Sequence, residues 1–500
     1  MTRPPVPLAQ LRDLELLVAA HHPLIGFETS EEDRVEVLLE SLAGSLRLPY
    51  FVWTASAGLR RTDMQGPVHG TKSPLLAVEH IRASGLEAIY YLRDFARFTE
   101  DAKVQSALLD ACQQLSRHRG AIALADDPLE LPRATRALLT QVHLDPITED
   151  EYYEYTRSLL ASLRARMTVE MELTGEDVAV LLQQLKGLTF FEVKRVLSQA
   201  IIEHGRLDRS VLDRVRAAKR SAVEATGMLD FIPTESSMVD VAGLDALKSW
   251  LRQRKVAFSE PERARSFGLE PPRGLLLLGV QGCGKSLCAK AVSHEWQLPL
   301  IRFDPSRIFA KYVGESEKNL SRAIRVAESL APIVLWIDEL EKAFPQGGSE
   351  DGGVSTRVLG SFLTWLQEKR APVFVISTSN DVSALPAELL RKGRFDEIFF
   401  VDLPAPAVRS EIFRIHLAKR GQTAEGFDLG ALAIGSEGFS GAEIEQAVVA
   451  SLYAAHGRGA PLDTEVLLAE LAGTRPLSVL MAEKIAYLRA WAADRTVPAD

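Results

Sequence analysis

The chain has 500 residues, with 58 Lys and Arg against 67 Asp and Glu and a formal net charge of −9. This length predicts two or three domains, and the acidic balance disfavours nucleic acid as a partner because nucleic acid requires a basic surface. Cys112, Cys283 and Cys288 show neither a paired nor a metal-binding spacing, and no apolar run reaches the ~18 residues of a membrane span. We therefore expect a cytoplasmic protein without a membrane span.

Strand and helix patterns alternate in the first half of the chain. A strand–helix–strand pattern, two further strand patterns and a helical region follow one another at 22–53, 86–98, 120–132 and 173–201. The second half repeats this order when Leu48-Pro49 is aligned with Leu298-Pro299. We therefore predict two copies of one α/β architecture. An unrelated α/β adaptor with the same order of elements is the alternative.

A joint between the two halves is predicted from composition. A basic helical pattern at 211–225 gives way to GMLDFIPTESS, Gly227–Ser237, in which Gly, Pro and Ser favour a linker. We place the boundaries at 1–226 for the N-terminal domain, 227–237 for the linker, 238–403 for an α/β domain and 404–500 for a helical subdomain.

A phosphate-binding loop follows four consecutive leucines, Leu275–Leu278, which predict a strand buried on both faces. The next residues have the spacing GxxxxGKS, in which glycines let backbone N–H groups converge and a helix beginning near Gly284 adds its positive dipole end. Lys285 would bind the β- and γ-phosphates, and Ser286 would ligate Mg²⁺. A chance glycine-rich turn is the alternative. The residues expected to bind the nucleotide are Gly279, Val280, Gln281, Gly282, Cys283, Gly284, Lys285, Ser286 and Leu287.

Cys283 occupies a special place in this loop, at the start of a helix and beside Lys285. Both neighbours stabilise a thiolate, so we expect a lowered thiol pKa and protection of the thiol by bound nucleotide. The alternative is that any small residue serves at this position.

Catalytic groups are predicted at the ends of two further buried strands. The segment Ile333–Glu339, IVLWIDE, ends in two carboxylates, of which Asp338 would hold Mg²⁺ and Glu339 would activate the attacking water. The strand Val373–Ser377 leads to Asn380, whose amide could hold the same water from the other side.

Two arginines, Arg391 and Arg394, lie in the segment LLRKGRFDEIFF. Guanidinium groups stabilise the charge that spreads over the phosphate oxygens in the transition state. Such a pair is expected to act on the γ-phosphate of a neighbouring subunit.

These motifs, in this order, resemble those of the AAA ATPases, whose P-loop NTPase (AAA+) fold is a parallel sheet flanked by helices with a C-terminal helical lid. The resemblance covers 238–500. The segment VDVAGL is similar to the first motif of the family, and it implies adenine contacts from Asp240, Ala242 and Gly243. SEGFSGAEIEQAV, 436–448, is similar to the start of the sensor-2 helix.

A pore loop is implied by a further resemblance, that of KYVGESEKN, 311–319, to the segment that grips a translocating chain in this family. A half-buried loop aromatic is the alternative interpretation of its tyrosine. The residues concerned are Lys311, Tyr312, Val313 and Gly314.

The first copy lacks this chemistry. Opposite 279–286 the alignment places TSEEDRVE, 29–36, which contains neither glycine nor lysine and has three adjacent acids that would repel a triphosphate. One acid, Asp94, is aligned with Asp338 and is followed by Phe95 rather than a second carboxylate. We predict a degenerate AAA-like domain with its own helical lid and without bound nucleotide.

The whole arrangement resembles the two-domain AAA proteins encoded in cyanobacterial and plastid genomes as a hypothetical reading frame. It implies a homo-oligomeric ring, expected to be a hexamer, that hydrolyses ATP with Mg²⁺ to remodel, unfold or disassemble a protein client. An ATP-controlled switch that recruits a partner without threading it is one alternative, and an inert scaffold is another. A motor would require Tyr312 to face the pore, whereas a switch would not.

Overall fold

The computed structural model describes residues 3–224, 227–233, 237–308, 315–343, 354–391 and 393–500. The chain forms two units, Met1–Lys219 and Arg220–Asp500. In the described residues each unit contains one main β-sheet and a set of helices that follows it in the chain.

The first unit begins with a six-stranded sheet of order β3-β2-β4-β5-β1-β6, in which only the β2–β3 pair is antiparallel. Its inner strands β1, β2, β4 and β5 are nearly continuous apolar runs because helices cover both faces of the sheet. The strands are β1 (Leu24–Glu28), β2 (Tyr50–Thr54), β3 (Gly58–Arg61), β4 (Ile89–Arg93), β5 (Ala121–Asp126) and β6 (Leu139–Val142), and the helices are α1 (Leu8–Ala19), α2 (Glu32–Leu46), α3 (Pro74–Ser84), α4 (Ala102–Leu115) and α5 (Arg133–Arg136).

A helical part follows this sheet. The N-cap residues Thr148, Thr174 and Thr189 precede its first three helices, and each threonine forms a capping box with an acid three residues later, which satisfies free N–H groups at the helix start. The helices are α6 (Glu149–Arg164), α7 (Gly175–Leu185), α8 (Phe190–His204) and α9 (Ser210–Glu224), with the short strands β7 (Glu170–Met171) and β8 (Arg206–Leu207) between them.

The second unit contains a seven-stranded sheet of order β15-β14-β10-β13-β12-β11-β9, in which β9 alone is antiparallel to its neighbour. The strands are β9 (Leu229–Ile232), β10 (Gly274–Gly279), β11 (Leu300–Phe303), β12 (Ile333–Ile337), β13 (Val373–Ser379), β14 (Glu397–Val401) and β15 (Val497–Pro498), and the helices are α10 (Asp245–Arg254), α11 (Val256–Ser259), α12 (Pro261–Ser266), α13 (Lys285–Trp296), α14 (Glu315–Ser329), α15 (Leu340–Ala343) and α16 (Val354–Glu368).

A helical lid follows β14. Phe413, Leu432, Ile444 and Leu467 belong to its own apolar cluster. The helices are α17 (Pro406–Ala418), α18 (Leu429–Gly435), α19 (Gly441–Arg458), α20 (Thr464–Gly473), α21 (Leu477–Leu480) and α22 (Ala482–Ala492).

Two segments predicted to lie outside the second α/β domain contribute to its sheet. The predicted linker, 227–237, contains β9, which pairs with β11. The predicted lid, 404–500, ends in β15, which pairs with β14, and Leu488 of α22 packs into the core under the sheet. Backbone pairing across the sheet, which composition does not reveal, holds both segments.

The two sheets share one strand order, so the predicted repetition of the fold is confirmed. The order β6-β1-β5-β4-β2 of the first unit corresponds to β14-β10-β13-β12-β11 of the second, and each sheet carries an antiparallel strand beyond the last of these. Helices α2 and α13 are each followed by a C-cap residue with a left-handed backbone, Arg47 and Gln297 respectively. These two residues also correspond in the sequence alignment that pairs Leu48 with Leu298.

The strand register corrects the alignment of Asp94. Tyr50 pairs with Ile89, and its counterpart Leu300 pairs with Val334, so β4 is shifted by one residue relative to the sequence alignment. Arg93 therefore takes the place of the first acid, and Asp94 takes the place of Glu339. Asp94 and Glu339 also share a left-handed backbone, with φ of 50° and 51°.

Candidate functional site

A cavity of about 560 Å³ lies where the carboxyl ends of β10, β12, β13 and β14 meet the lid, and 12 of the predicted site residues line it. Parallel strands bring loops that are distant in sequence to one edge of the sheet, where α/β proteins bind ligands. The predicted residues that line it are Asp240, Ala242, Gln281, Gly282, Cys283, Gly284, Lys285, Ser286, Leu287, Asp338, Glu339 and Asn380.

The loop between β10 and α13 depends on its glycines. A Cβ atom on Gly279 would lie 2.0 Å from the Val401 carbonyl oxygen, because β14 runs directly beside this residue. Gly282 and Gly284 have left-handed backbones, with φ of 78° and 89°. The helix after them begins without a side-chain cap, so the structure supplies no side-chain acceptor at this end of α13.

Lys285 is 5% exposed, and its ammonium group is held by its own loop. Nζ donates to the carbonyl oxygens of Gly279 and Val280 at 2.9 and 2.7 Å. Burial lowers the pKa of this ammonium group to about 8, because it disfavours the charged form. Its charge is therefore poised for an anion that would replace the two carbonyl partners.

Oxygen atoms suited to Mg²⁺ converge at the end of β12. Ser286 Oγ donates to Asp338 Oδ1 at 3.0 Å, and Thr378 Oγ1 donates to the same oxygen at 2.5 Å. A hydroxyl and a carboxylate are ligand types that Mg²⁺ accepts together with phosphate and water. The residues present therefore fit the ion. No motif in the sequence singles out Thr378, because its part depends on β13 lying beside β12.

Glu339 follows Asp338 with a left-handed backbone whose N–H donates to Thr378 Oγ1 at 3.1 Å. Its carboxylate accepts from Lys342 Nζ at 2.8 Å. Glu341, only 9% exposed, accepts from the Asn380 backbone N–H at 3.0 Å and so ties the ends of β12 and β13 together. Sequence reasoning missed Glu341 and Lys342, whose partners become visible only in the fold.

The two predicted arginines do not line this cavity. Arg391 is exposed, and Arg394 Nη1 is a buried atom without a hydrogen-bond partner among the described residues. Neither guanidinium group is brought to the phosphate-binding loop of its own chain.

Gly243 and Val280 were also predicted to bind the nucleotide. They do not line the cavity themselves, but each is adjacent in the chain to a residue that does.

The predicted pore loop, Lys311, Tyr312, Val313 and Gly314, lies outside the described residues.

The expectation of a lowered thiol pKa at Cys283 is wrong. Burial raises the pKa of this thiol to about 12, and nearby Lys285 lowers it by less. The sequence shows the helix start and the lysine, but it does not show how far the fold buries this half-exposed thiol.

The lid contributes an apolar wall and one histidine to the cavity. Val408, Ile412 and Ile415 of α17 line it together with His416 and Glu445. The His416 ring lies 3.5 Å from the Glu445 carboxylate, and burial lowers the pKa of His416. No sequence motif had singled out the residues of α17, whereas Glu445 lies in the segment 436–448 that is similar to the start of the sensor-2 helix. The spacing of apolar residues along α17 predicts an apolar face on this helix. The sequence does not show that the tertiary structure places this face opposite the phosphate-binding loop.

Three protein-family models match the chain. They are described as the ATPase family associated with various cellular activities (AAA) at 275–403, the N-terminal domain of SpoVK-like AAA ATPases at 10–144, and the second domain of the same proteins at 150–226. Together with the sheet order and the loop, they define the chain as a member of the AAA ATPase family.

Two relatives that match nearly the whole chain show which kind of AAA protein it resembles. The chain is 37% identical over 485 residues to the uncharacterized AAA domain-containing protein ycf46 of Trieres chinensis and 35% identical over 488 residues to that of Pyropia yezoensis. These matches cover 96% of both chains in the first case and 97% of both in the second. The chain therefore has the SpoVK-like two-domain architecture of these proteins.

A more distant relative shares only part of the chain. The cell division cycle protein 48 homolog of Archaeoglobus fulgidus is 33% identical over 288 residues, which is 55% of this chain and 39% of that protein.

In the described residues, no helix is long and apolar enough to span a membrane.

Proposed function

We propose that this protein is an ATPase that converts ATP and water to ADP and phosphate in the cavity between β10, β12 and the lid. The contact of Ser286 Oγ with Asp338 Oδ1 at 3.0 Å carries the proposal, because it joins the phosphate-binding loop to the acidic strand end. Membership of the AAA ATPase family supports it.

The chain's own groups have separate parts in this reaction. Lys285 binds the β- and γ-phosphates after it leaves the carbonyls of Gly279 and Val280. Ser286 and Asp338 would hold Mg²⁺, which neutralises phosphate charge when bound. Glu339 accepts a proton from the attacking water, and Asn380 orients that water from the neighbouring strand.

The biological action that we propose is the remodelling, unfolding or disassembly of a protein client by a hexameric ring. The placement of the arginines supports the ring, because Arg391 is exposed and neither arginine lines the cavity of its own chain, which suits an action on the phosphate of the next subunit. The alternative is an ATP-controlled switch or scaffold. Tyr312→Ala separates the two: it should abolish client processing by a motor and leave a switch unaffected, with ATPase activity retained in both.

The chemistry is tested with Glu339→Gln. Loss of the water-activating carboxylate should slow phosphate release ~10²–10⁴-fold while leaving ATP binding intact. Lys285→Ala should lose binding itself. Glu368→Gln, an exposed glutamate on α16, is the matched control and should behave as wild type. Wild-type turnover by purified Glu339→Gln would refute the assignment. Because the variant holds ATP, capture of bound proteins on it would also identify the client.

A further inference from the structure

Two consecutive residues with left-handed backbones lie in the first AAA motif, which forms one wall of the cavity. Gly243 has φ 63° and Leu244 has φ 59°. The conformation is strained for leucine and persists only where neighbouring groups hold it. Leu244 also precedes helix α10, and no side chain of its own caps that helix.

The segment Val497–Asp500 supplies the missing contacts. Asp500 Oδ1 accepts from the Leu244 backbone N–H, and the Ala499 carbonyl oxygen accepts from the Leu247 N–H at 3.1 Å. A carboxylate at a helix start also interacts favourably with the helix dipole. The cap on α10 thus comes from the far end of the chain. Asp500 itself lines the cavity.

The segment is in turn anchored to the sheet that carries the phosphate-binding loop. Val497 and Pro498 pair with Phe399 and Phe400 of β14, and the Ala499 N–H donates to the Phe400 carbonyl oxygen at 3.0 Å. Ala499 is buried. Because β14 lies directly beside β10, a displacement of the segment would move the wall relative to the loop.

Helix α22, which precedes the segment, is fixed at two other points around the cavity. Lys484 Nζ contacts Asp381, which follows Asn380, at 2.7 Å. Arg489 makes a forked contact of 2.8–3.0 Å with Asp402, another residue that lines the cavity. Residues 482–500 thus contact the residue after Asn380, the residue after β14 and the first AAA motif.

We propose that residues 482–500 form a strap that sets nucleotide affinity, and that Asp500 is the positioning residue that holds the backbone of Gly243 and Leu244 ready for the base. This inference rests on the proposed ATPase function and adds a residue that acts through the backbone. Asp500 would not take part in the chemical step, so its effect falls on Kd and KM and not on kcat.

The test compares Asp500→Ala, Asp500→Asn and Asp494→Ala in the full chain. The expected result for Asp500→Ala is a Kd for a fluorescent ATP analogue and a KM raised about 10-fold, with kcat within about 2-fold of wild type. Asp500→Asn keeps an acceptor oxygen and should restore affinity. Asp494→Ala, which changes an exposed acid elsewhere in the strap, should resemble wild type.

The direction of the effect is informative, because removing a negative charge beside an anionic ligand would by itself strengthen binding. Unchanged or tighter binding by Asp500→Ala would overturn the proposal, as would a fall in kcat with KM unchanged. Amide hydrogen exchange gives a readout that needs no nucleotide: the Leu244 amide should exchange faster in Asp500→Ala than in Asp494→Ala. If wild type bound no ATP, the proposed function would fail, and the exchange rate would still decide whether Asp500 holds Leu244.

Discussion

Lys285 shows how one side chain can be held ready for its ligand. Its ammonium group donates to two carbonyl oxygens of its own loop, and burial lowers its pKa to about 8. A bound triphosphate would favour the charged form, so binding and protonation are linked.

The first prediction follows from this linkage. As pH rises through about 8, a growing fraction of the free protein carries Lys285 neutral, so ATP binding is increasingly coupled to the uptake of a proton. Affinity should therefore fall as pH rises from about 7.5 to 9.5, and calorimetry in buffers of different ionisation enthalpy should report proton uptake. Lys285→Arg stays charged over this range and is the control. Equal pH slopes for wild type and Lys285→Arg would contradict the prediction.

Helix α2 explains why the first unit differs from the second. It begins at Glu32, almost one turn earlier than α13 does in the aligned sequence, so helix stands where the second unit has its loop. Arg93 contacts Glu32 at 2.6 Å and Glu36, the counterpart of Ser286, at 3.2 Å. An internal ion pair thus occupies the place of the hydroxyl and carboxylate that fit Mg²⁺.

A second group of ion pairs joins α2 to the helical part that follows the first sheet. Arg34, 4% exposed, lies 3.5 Å from Glu31 and 4.0 Å from Glu151 of α6. The acids that were predicted to repel phosphate are therefore partly neutralised. The stronger reason to expect no nucleotide here is the missing loop of backbone N–H groups.

The element-scale prediction is a stoichiometry of one ATP per chain, because only the second unit has the loop. Titration calorimetry of the full chain with Mg²⁺ should give one site for wild type and none for Lys285→Ala. Saturable, Mg²⁺-dependent binding that survives in Lys285→Ala would place a site in the first unit and refute its assignment as nucleotide-free.

At the scale of the whole molecule, the positions of the arginines predict that a single chain lacks part of its catalytic site. Arg391 and Arg394 do not line the cavity, and an arginine that acts on a neighbouring phosphate contributes ~10³–10⁵-fold to turnover. Activity is therefore expected to require assembly.

Mixing variants tests this expectation. Arg394→Ala should bind ATP normally and be inactive alone, and Lys285→Ala should be inactive for lack of binding. Co-assembled, the two should regain phosphate release, because some interfaces join an intact loop to an intact arginine. Arg370→Ala, an exposed arginine that follows α16, is the control. Full activity of wild-type monomers at high dilution, or no recovery on mixing, would contradict the prediction.

The sequence by itself determined the buried strands β10, β12 and β13, the phosphate-binding loop and the family. Continuous apolar runs, glycine spacing and paired acids are local patterns, and each has one strong structural meaning. The same patterns predicted the repeated fold, because the order of elements is preserved where the chemistry is not.

Only the tertiary structure decided what depends on neighbours that are distant in sequence. Burial raised the thiol pKa of Cys283 against the prediction, and strand register moved Asp94 from the position of Asp338 to that of Glu339. The contact of Asp500 with Leu244 joins residues from opposite ends of the second unit. Desolvation, register and long-range capping arise when the sheet assembles, and no local pattern along the chain records them.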